Sequence, residues 1–196
     1  MIQKQDGYII DTVYPYYFYK EMQPLWLSTV VTFQGSKSPD ISNAFSYCEL
    51  GCGTGLSLII AAAMNPHARF IGVDFNAQHI KMAQEAVQFI GLKNIQFIYS
   101  DFRTFFQMLD EKFDFIFIDA AKGQYKKFFD LAYPKLSDNC IIFIDNIMFK
   151  GLVAEAEIPK RYKTIVRKLN EFISYLNDNH NFVLLPFGDG VGLVTK

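Results

Sequence analysis

Long hydrophobic runs, paired cysteines and an excess of either charge are all missing from this 196-residue sequence. The longest apolar stretches, such as Leu56 to Met64, fall far short of the roughly 20 residues that a bilayer span requires, so no membrane partner is expected. The three cysteines, Cys48, Cys52 and Cys140, are an odd count with a single close spacing, the pattern of reduced intracellular thiols and not of a disulfide framework. The stretch Met1 to Asp6 lacks a basic segment followed by an apolar run, and together with the thiols this sets the expectation of a cytoplasmic protein. With 19 basic against 20 acidic side chains the formal net charge is −1. That balance excludes attraction to nucleic acid by bulk charge and leaves room only for a local basic patch.

Apolar residues are plentiful, at 51% of the chain, and the length suits one domain with a single substantial core. From residue 47 onward, short apolar runs alternate with helical patterns, the sequence form of βα units around a parallel sheet. Strands are expected at Tyr47 to Leu50, Arg69 to Asp74, Ile95 to Ser100, Phe113 to Asp119, Cys140 to Asp145, Val183 to Pro186 and Gly192 to Thr195. Helices are expected at Leu56 to Met64, Ala77 to Ile90, Thr104 to Leu109, Tyr125 to Tyr133 and Lys160 to Asn179. The turn Phe187-Gly188-Asp189-Gly190 predicts that the last two strands pair as an antiparallel hairpin. Residues 1–46 differ in character. They carry the aromatic run Tyr14-Pro15-Tyr16-Tyr17-Phe18-Tyr19, one helical stretch around Lys20 to Phe33, and a connector from Gly35 to Asp40. Such a run can stack RNA bases, but it reads first as a lid or a cover over one face of the sheet. The expected division is an N-terminal cover over 1–46 and a main domain over 47–196.

Glu49-Leu50-Gly51-Cys52-Gly53-Thr54-Gly55 falls where the first strand of that domain gives way to its first helix. Glycines there permit a sharp turn and close approach of a ligand to backbone N–H groups. Taken alone, the loop is equally a tight structural turn. Its neighbours point further. Glu49 would repel a phosphate but suits an amino group, and Asp74 at the end of the second strand can accept from ribose hydroxyls. Asp101, closing the third strand, can meet an adenine amino group. In Asp119-Ala120-Ala121-Lys122 and Asp145-Asn146, two further strands finish in acids. Adjacent parallel strands bring their carboxyl ends to one rim, so Asp119, Asp145 and Asn146 form an oxygen set suited to a hard cation such as Mg²⁺, or they are simple strand-end caps.

The acid and glycine loop, followed by an acid after the next strand, resembles class I S-adenosylmethionine-dependent methyltransferases over residues 47–196. The spacing of Gly51, Gly53 and Gly55 and the terminal hairpin stand against a nicotinamide-binding fold. The resemblance implies a Rossmann-like, doubly wound α/β fold, with a mainly parallel seven-stranded sheet and a C-terminal antiparallel hairpin. It implies S-adenosylmethionine held by Glu49, Gly51, Cys52, Gly53, Asp74, Phe75, Asp101, Phe102 and Asp119. Residues 104–196 are similar to the metal-dependent O-methyltransferases that include the catechol and caffeoyl-coenzyme A enzymes. By that likeness Asp119, Asp145 and Asn146 are metal ligands and Lys122 is the catalytic lysine beside the acceptor hydroxyl. Phe113 to Val153 and the closing Phe187 to Leu193 further resemble the bacterial branch that methylates 5-hydroxyuridine of tRNA. Lys160, Arg161, Lys163, Arg167 and Lys168 are then the candidate RNA contact, otherwise a solvated helix face. Residues 1–103 resemble instead a bacterial methyltransferase group with an extra regulatory domain. A hybrid of two lineages with its seam near Asp101 to Phe105 is therefore a hypothesis, and a homodimer is left open. A catechol-type small-molecule enzyme and a cofactor-binding scaffold without catalysis are the alternatives.

Overall fold

The computed structural model describes residues 4–5, 8–9, 15–119 and 121–196. Two short strands, β1 (Lys4–Gln5) and β2 (Tyr8–Ile9), pair antiparallel. The rest of residues 1–14, including Tyr14 of the aromatic run, lies outside the described residues. Helix α1 (Pro24–Phe33) begins at a proline, whose fixed φ and missing N–H suit a first helical position.

A seven-stranded sheet follows, built from β3 (Ser46–Leu50), β4 (Arg69–Asp74), β5 (Ile95–Tyr99), β6 (Phe113–Ile118), β7 (Leu136–Ile144), β8 (Asn181–Leu185) and β9 (Val191–Thr195). Its order is β5-β4-β3-β6-β7-β9-β8. The pairs from β5 through β7 are parallel, and β9 runs antiparallel to both β7 and β8. The expected hairpin is thus present, but its second strand is inserted between β7 and the first. Strand order reverses between β3 and β6, so a crevice opens at their carboxyl ends, where ligands bind in open α/β sheets.

Helices α2 (Leu56–Met64), α3 (Ala77–Ile90), α4 (Phe102–Met108), α5 (Tyr125–Ala132) and α6 (Lys163–Asn179) cover the two faces. One apolar layer holds Phe105, Phe129, Leu169 and Phe172 against the sheet, and the opposite layer holds Leu27, Val31, Leu58, Ile80 and Phe115. Burial of apolar area on both faces explains why the central strands read as near-continuous hydrophobic runs. Several bounds differ from expectation: α4 begins at Phe102 instead of Thr104, β8 at Asn181 instead of Val183, and the stretch Lys20 to Phe33 divides into a 3₁₀ turn and α1. Strand β7 begins at Leu136 and not at Cys140, so Ser137-Asp138-Asn139 lies inside it, where a register shift opposite Phe113 to Phe115 absorbs the extra polar residues. Residues Lys160–Tyr162 form a 3₁₀ turn that precedes α6.

The aromatic run is not what covers the sheet. Tyr16, Tyr17, Phe18 and Tyr19 are exposed, whereas Met22, Leu27 and Val31 are buried. The covering element is anchored by Tyr47, which stacks between Phe70 and Phe115 at centroid distances of 5.7 and 5.6 Å and donates its hydroxyl to the Met22 carbonyl at 2.9 Å. Tyr47→Phe keeps the rings but leaves that carbonyl without its partner. Thermal denaturation should show a loss of about 1–3 kcal/mol, a fall in Tm of several degrees.

Candidate active site

The first turn of the crevice depends on backbone hydrogen bonds that tie three strands together. Gly51 N–H donates to the Val73 carbonyl at 2.8 Å, and Asp119 N–H donates to the Leu50 carbonyl at 3.0 Å. Gly51 has φ +86°, and a Cβ there would lie 2.4 Å from the Asp119 carbonyl oxygen. Only glycine combines that dihedral with that approach. Asp74 shapes the same loop by accepting from Gly53 N–H at 2.9 Å and from Asn76 N–H at 2.7 Å. The Asn76 side chain in turn caps α3 through the N–H groups of Gln78 and His79.

A cavity of about 380 Å³ opens above this loop. Glu49, Gly51, Cys52, Gly53, Asp119, Asp145 and Asn146 all line it, so seven of the site residues expected from the sequence converge there. Glu49 is buried and its Oε2 has no hydrogen-bond partner among the described residues. Its pKa is well above the ordinary carboxylate value, first because of burial and then because Asp119 and Asp74 are near. Asp119 opens onto the cavity, yet crowding by protein and the neighbouring Asp145 carry its pKa up to about 6 against the opposing pull of Lys122. Burial raises the pKa of Asp145 as well, while hydrogen bonds from Asn146 and the charge of Lys122 hold it down. Asn146 adopts a left-handed φ of 55°, a conformation that asparagine tolerates better than most residues.

Lys122 is half-buried in a 3₁₀ turn just before α5. Its Nζ donates to the Tyr125 hydroxyl at 3.3 Å, and that hydroxyl donates to the Asp145 carbonyl at 2.7 Å. Tyr125 thus links the lysine to the strand end that carries the acid, a role that sequence reading missed although the i,i+3 spacing from Lys122 was visible. Tyr17 and Tyr19 were also missed as cavity residues. Their rings lie 4.6 Å apart, and Ser57 Oγ pins the segment by accepting from Tyr19 N–H at 2.9 Å. The Tyr19 phenol is held above its ordinary pKa by burial and by Asp145 and Asp119.

Other expected residues lie elsewhere. Asp74 and Phe75 flank the loop without lining the cavity. Asp101 caps α4, accepting from the N–H groups of Arg103 and Thr104 and from the Thr104 hydroxyl, and these bonds lower its pKa. Phe102 is buried edge-on against Phe128 at 5.0 Å. The basic stretch is divided by the helical period. Lys163 and Arg167 line one surface depression, Lys168 lines another, and Arg161 folds over the Tyr162 ring at 4.5 Å.

The donor set fits both implied groups. An unpartnered buried carboxylate at Glu49 suits an ammonium, and two crowded carboxylates with raised pKa values beside Asn146 suit a divalent cation. Comparison with known proteins agrees in fold and family. A model of the O-methyltransferase family matches residues 39–196. An uncharacterized protein of Synechocystis is 39% identical over 111 residues, 57% of this chain and 22% of that protein. The caffeoyl-CoA O-methyltransferase of Zinnia elegans is 31% identical over 172 residues, covering 79% of this chain and 68% of that one. A solved O-methyltransferase from Bacillus cereus in complex with SAH superposes with a TM-score of 0.68 at 20% identity, covering 93% of this chain and 84% of that one. The chain spans about a quarter of the length of its Synechocystis and Rickettsia prowazekii relatives. No helix among the described residues is long and apolar enough to cross a membrane.

Glu49 also carries a stability consequence. Its folded pKa is raised, so the folded state binds the proton more tightly than the unfolded chain. Stability is therefore lost as pH rises from the ordinary carboxylate pKa through the raised value. Without cofactor, Glu49→Gln should melt at a higher temperature than the parent at pH 8, and the difference should shrink toward pH 4.

Proposed function

The chain belongs to the O-methyltransferase family, and on that premise we propose that it methylates an acidic or metal-chelating hydroxyl with S-adenosylmethionine, assisted by a divalent cation. The observation that carries this reading is the meeting of Glu49, Asp119, Asp145 and Asn146 around one cavity, with Lys122 tied to its edge through Tyr125. When bound, the two groups supply an activated methyl and a Lewis acid that acidifies a hydroxyl.

The remaining work belongs to the protein. Glu49 receives the cofactor's ammonium, and the Gly51 to Gly53 backbone leaves room for its chain. Asp74 holds the loop in shape through Gly53 and Asn76. Asp119, Asp145 and Asn146 hold the cation. Lys122 takes the hydroxyl proton on Nζ when its amine is neutral, or as an ammonium stabilises the oxyanion left when that proton passes to water, and Tyr125 sets where the nitrogen sits. Tyr17 and Tyr19 line the cavity. Catalysis then rests mainly on alignment of acceptor and methyl donor.

For the acceptor, the resemblance of residues 113–153 and 187–193 to the tRNA branch makes 5-hydroxyuridine the first to test. A catechol-type small molecule is the second reading, favoured by the likeness to the Zinnia elegans enzyme over 68% of its length. A hybrid scaffold without catalysis draws on the change of likeness near residue 103, but the family match spans 39–196 across that position and supports an enzyme. Methyl transfer should require added Mg²⁺, and Asp119→Ala should reduce it by more than the roughly 10–100-fold typical of outer-shell changes. Radiolabel transfer to hydroxyuridine-bearing tRNA and to a catechol, with and without chelator, decides it. An Asp119→Ala protein with unchanged, Mg²⁺-stimulated transfer would sink the metal reading.

A further inference from the structure

A second depression of about 700 Å³ is lined by Lys122 and Tyr125, and the Tyr125 hydroxyl joins it to the candidate catalytic cavity by donating to the carbonyl of Asp145, which lines that cavity. Five cations line it, from four different elements: Arg103 of α4, Lys122 of the 3₁₀ turn, Lys126 and Lys127 of α5, and Lys168 of α6. Only two acids accompany them, and both are already engaged. Asp130 pairs with Lys126 at 2.7 Å, and Glu171 pairs with Arg167 at 2.6 Å from outside the depression. Arg103, Lys122, Lys127 and Lys168 form no ion pair among the described residues. In a chain of net charge −1 this is a marked segregation of positive charge.

The placement of these cations also opposes local helix preference. Arg103, Lys126 and Lys127 sit in the first turns of α4 and α5, which contain no acid, although cations there are disfavoured by the helix dipole. Lys126 is held by its i,i+4 pair with Asp130 and by the Tyr175 ring 4.0 Å away, whereas no ion pair among the described residues accounts for Arg103, Lys127 or Lys168. The Lys168 side chain reaches across Gly123, its Nζ standing 3.9 Å from where a Cβ would be, so the cluster closes directly onto the turn that carries Lys122. Tyr125, Phe172 and Tyr175 give the depression an aromatic floor.

We propose that this groove binds phosphate esters of the methyl acceptor, and that Lys127, Lys168 and Arg103 hold those phosphates while the acceptor hydroxyl reaches past Lys122 into the catalytic cavity. The proposal rests on the methyltransferase reading for the identity of the adjoining site. It moves the expected RNA contact from the run 160–168 as a whole to Lys168 with residues of α4 and α5. Two sources share this phosphate chemistry, the diesters of RNA and the phosphates of a small nucleotide-like acceptor, and binding separates them.

Fluorescence anisotropy with an RNA stem-loop, and competition by ADP, should be measured from roughly 50 to 300 mM salt for the parent protein, Lys127→Ala/Lys168→Ala, and Lys127→Arg/Lys168→Arg. Calorimetric binding of S-adenosylmethionine serves as the control for folding, since neither lysine lines the cofactor cavity. If RNA is the source, the Ala pair lowers the slope of log affinity against log salt by about two, roughly one for each phosphate no longer neutralised, and the Arg pair restores it. If the source is a small phosphate ester, ADP competition alone weakens in the Ala pair. Unchanged RNA and ADP binding in the Ala pair overturns the groove. RNA that binds through these lysines but is never methylated overturns the tRNA acceptor and leaves the groove standing.

Discussion

Four carboxylates stand at or near the carboxyl ends of four neighbouring parallel strands, Asp74 on β4, Glu49 on β3, Asp119 after β6 and Asp145 after β7. Their burial beside one another is the constraint around which the rest of the molecule is organised. Such a set is costly, and the cost appears as raised pKa values, caused first by burial at Glu49, Asp119 and Asp145 and second by neighbouring acids at Glu49 and Asp119, against the pull of Lys122 at Asp119 and Asp145. The fold tolerates it because the sheet beneath is fully covered. Aromatic and branched residues fill both faces, and the strand ends are tied by backbone bonds such as Asp119 N–H to Leu50 and Gly51 N–H to Val73. Stability is supplied by the core and partly given up at the rim, the pattern expected where a site is held ready for a positively charged ligand.

Within the rim the acids have distinct surroundings, and these separate their tasks. Asp74 is satisfied by backbone N–H groups and acts as a brace for the loop. Glu49 lacks a partner for one oxygen and is the residue with most to gain from an ammonium. Asp119 and Asp145 feel Lys122, whose position is fixed through Tyr125 to the Asp145 carbonyl. A single pattern in sequence, an acid after an apolar run, therefore yields a brace, a candidate partner for an ammonium and a pair of candidate ligands according to what the neighbouring backbone offers.

That same ambiguity sets how much could be read from the sequence. The bounds of α2 and α3 were legible to the residue, and the acids of β3, β6 and β7 were legible because the parallel order forces their ends together. Asp101 follows an identical pattern but serves as a cap, because α4 begins at once after it and its N–H groups claim the carboxylate together with the Thr104 hydroxyl. The basic stretch looked continuous in sequence, yet a period of 3.6 residues sends Arg167 and Lys168 to different sides of α6. The aromatic run was visible as composition only. Its placement depends on Ser57, 38 residues beyond Tyr19 in the chain, and no local rule reaches that far.

Lys122 occupies the boundary between two opposite electrostatic environments. On one side lie the acids of the rim, and on the other the cations gathered from α4, α5 and α6. An acceptor that presented only a hydroxyl would need the first side alone, whereas one that also carried phosphate would be oriented by both, negative end outward and hydroxyl inward. Charge segregation of this kind selects orientation more than affinity. On the proposed methyltransferase reading, where alignment is the main contribution the protein can make, a near-neutral chain that separates its charges across one lysine is better suited to the task than one that is uniformly basic.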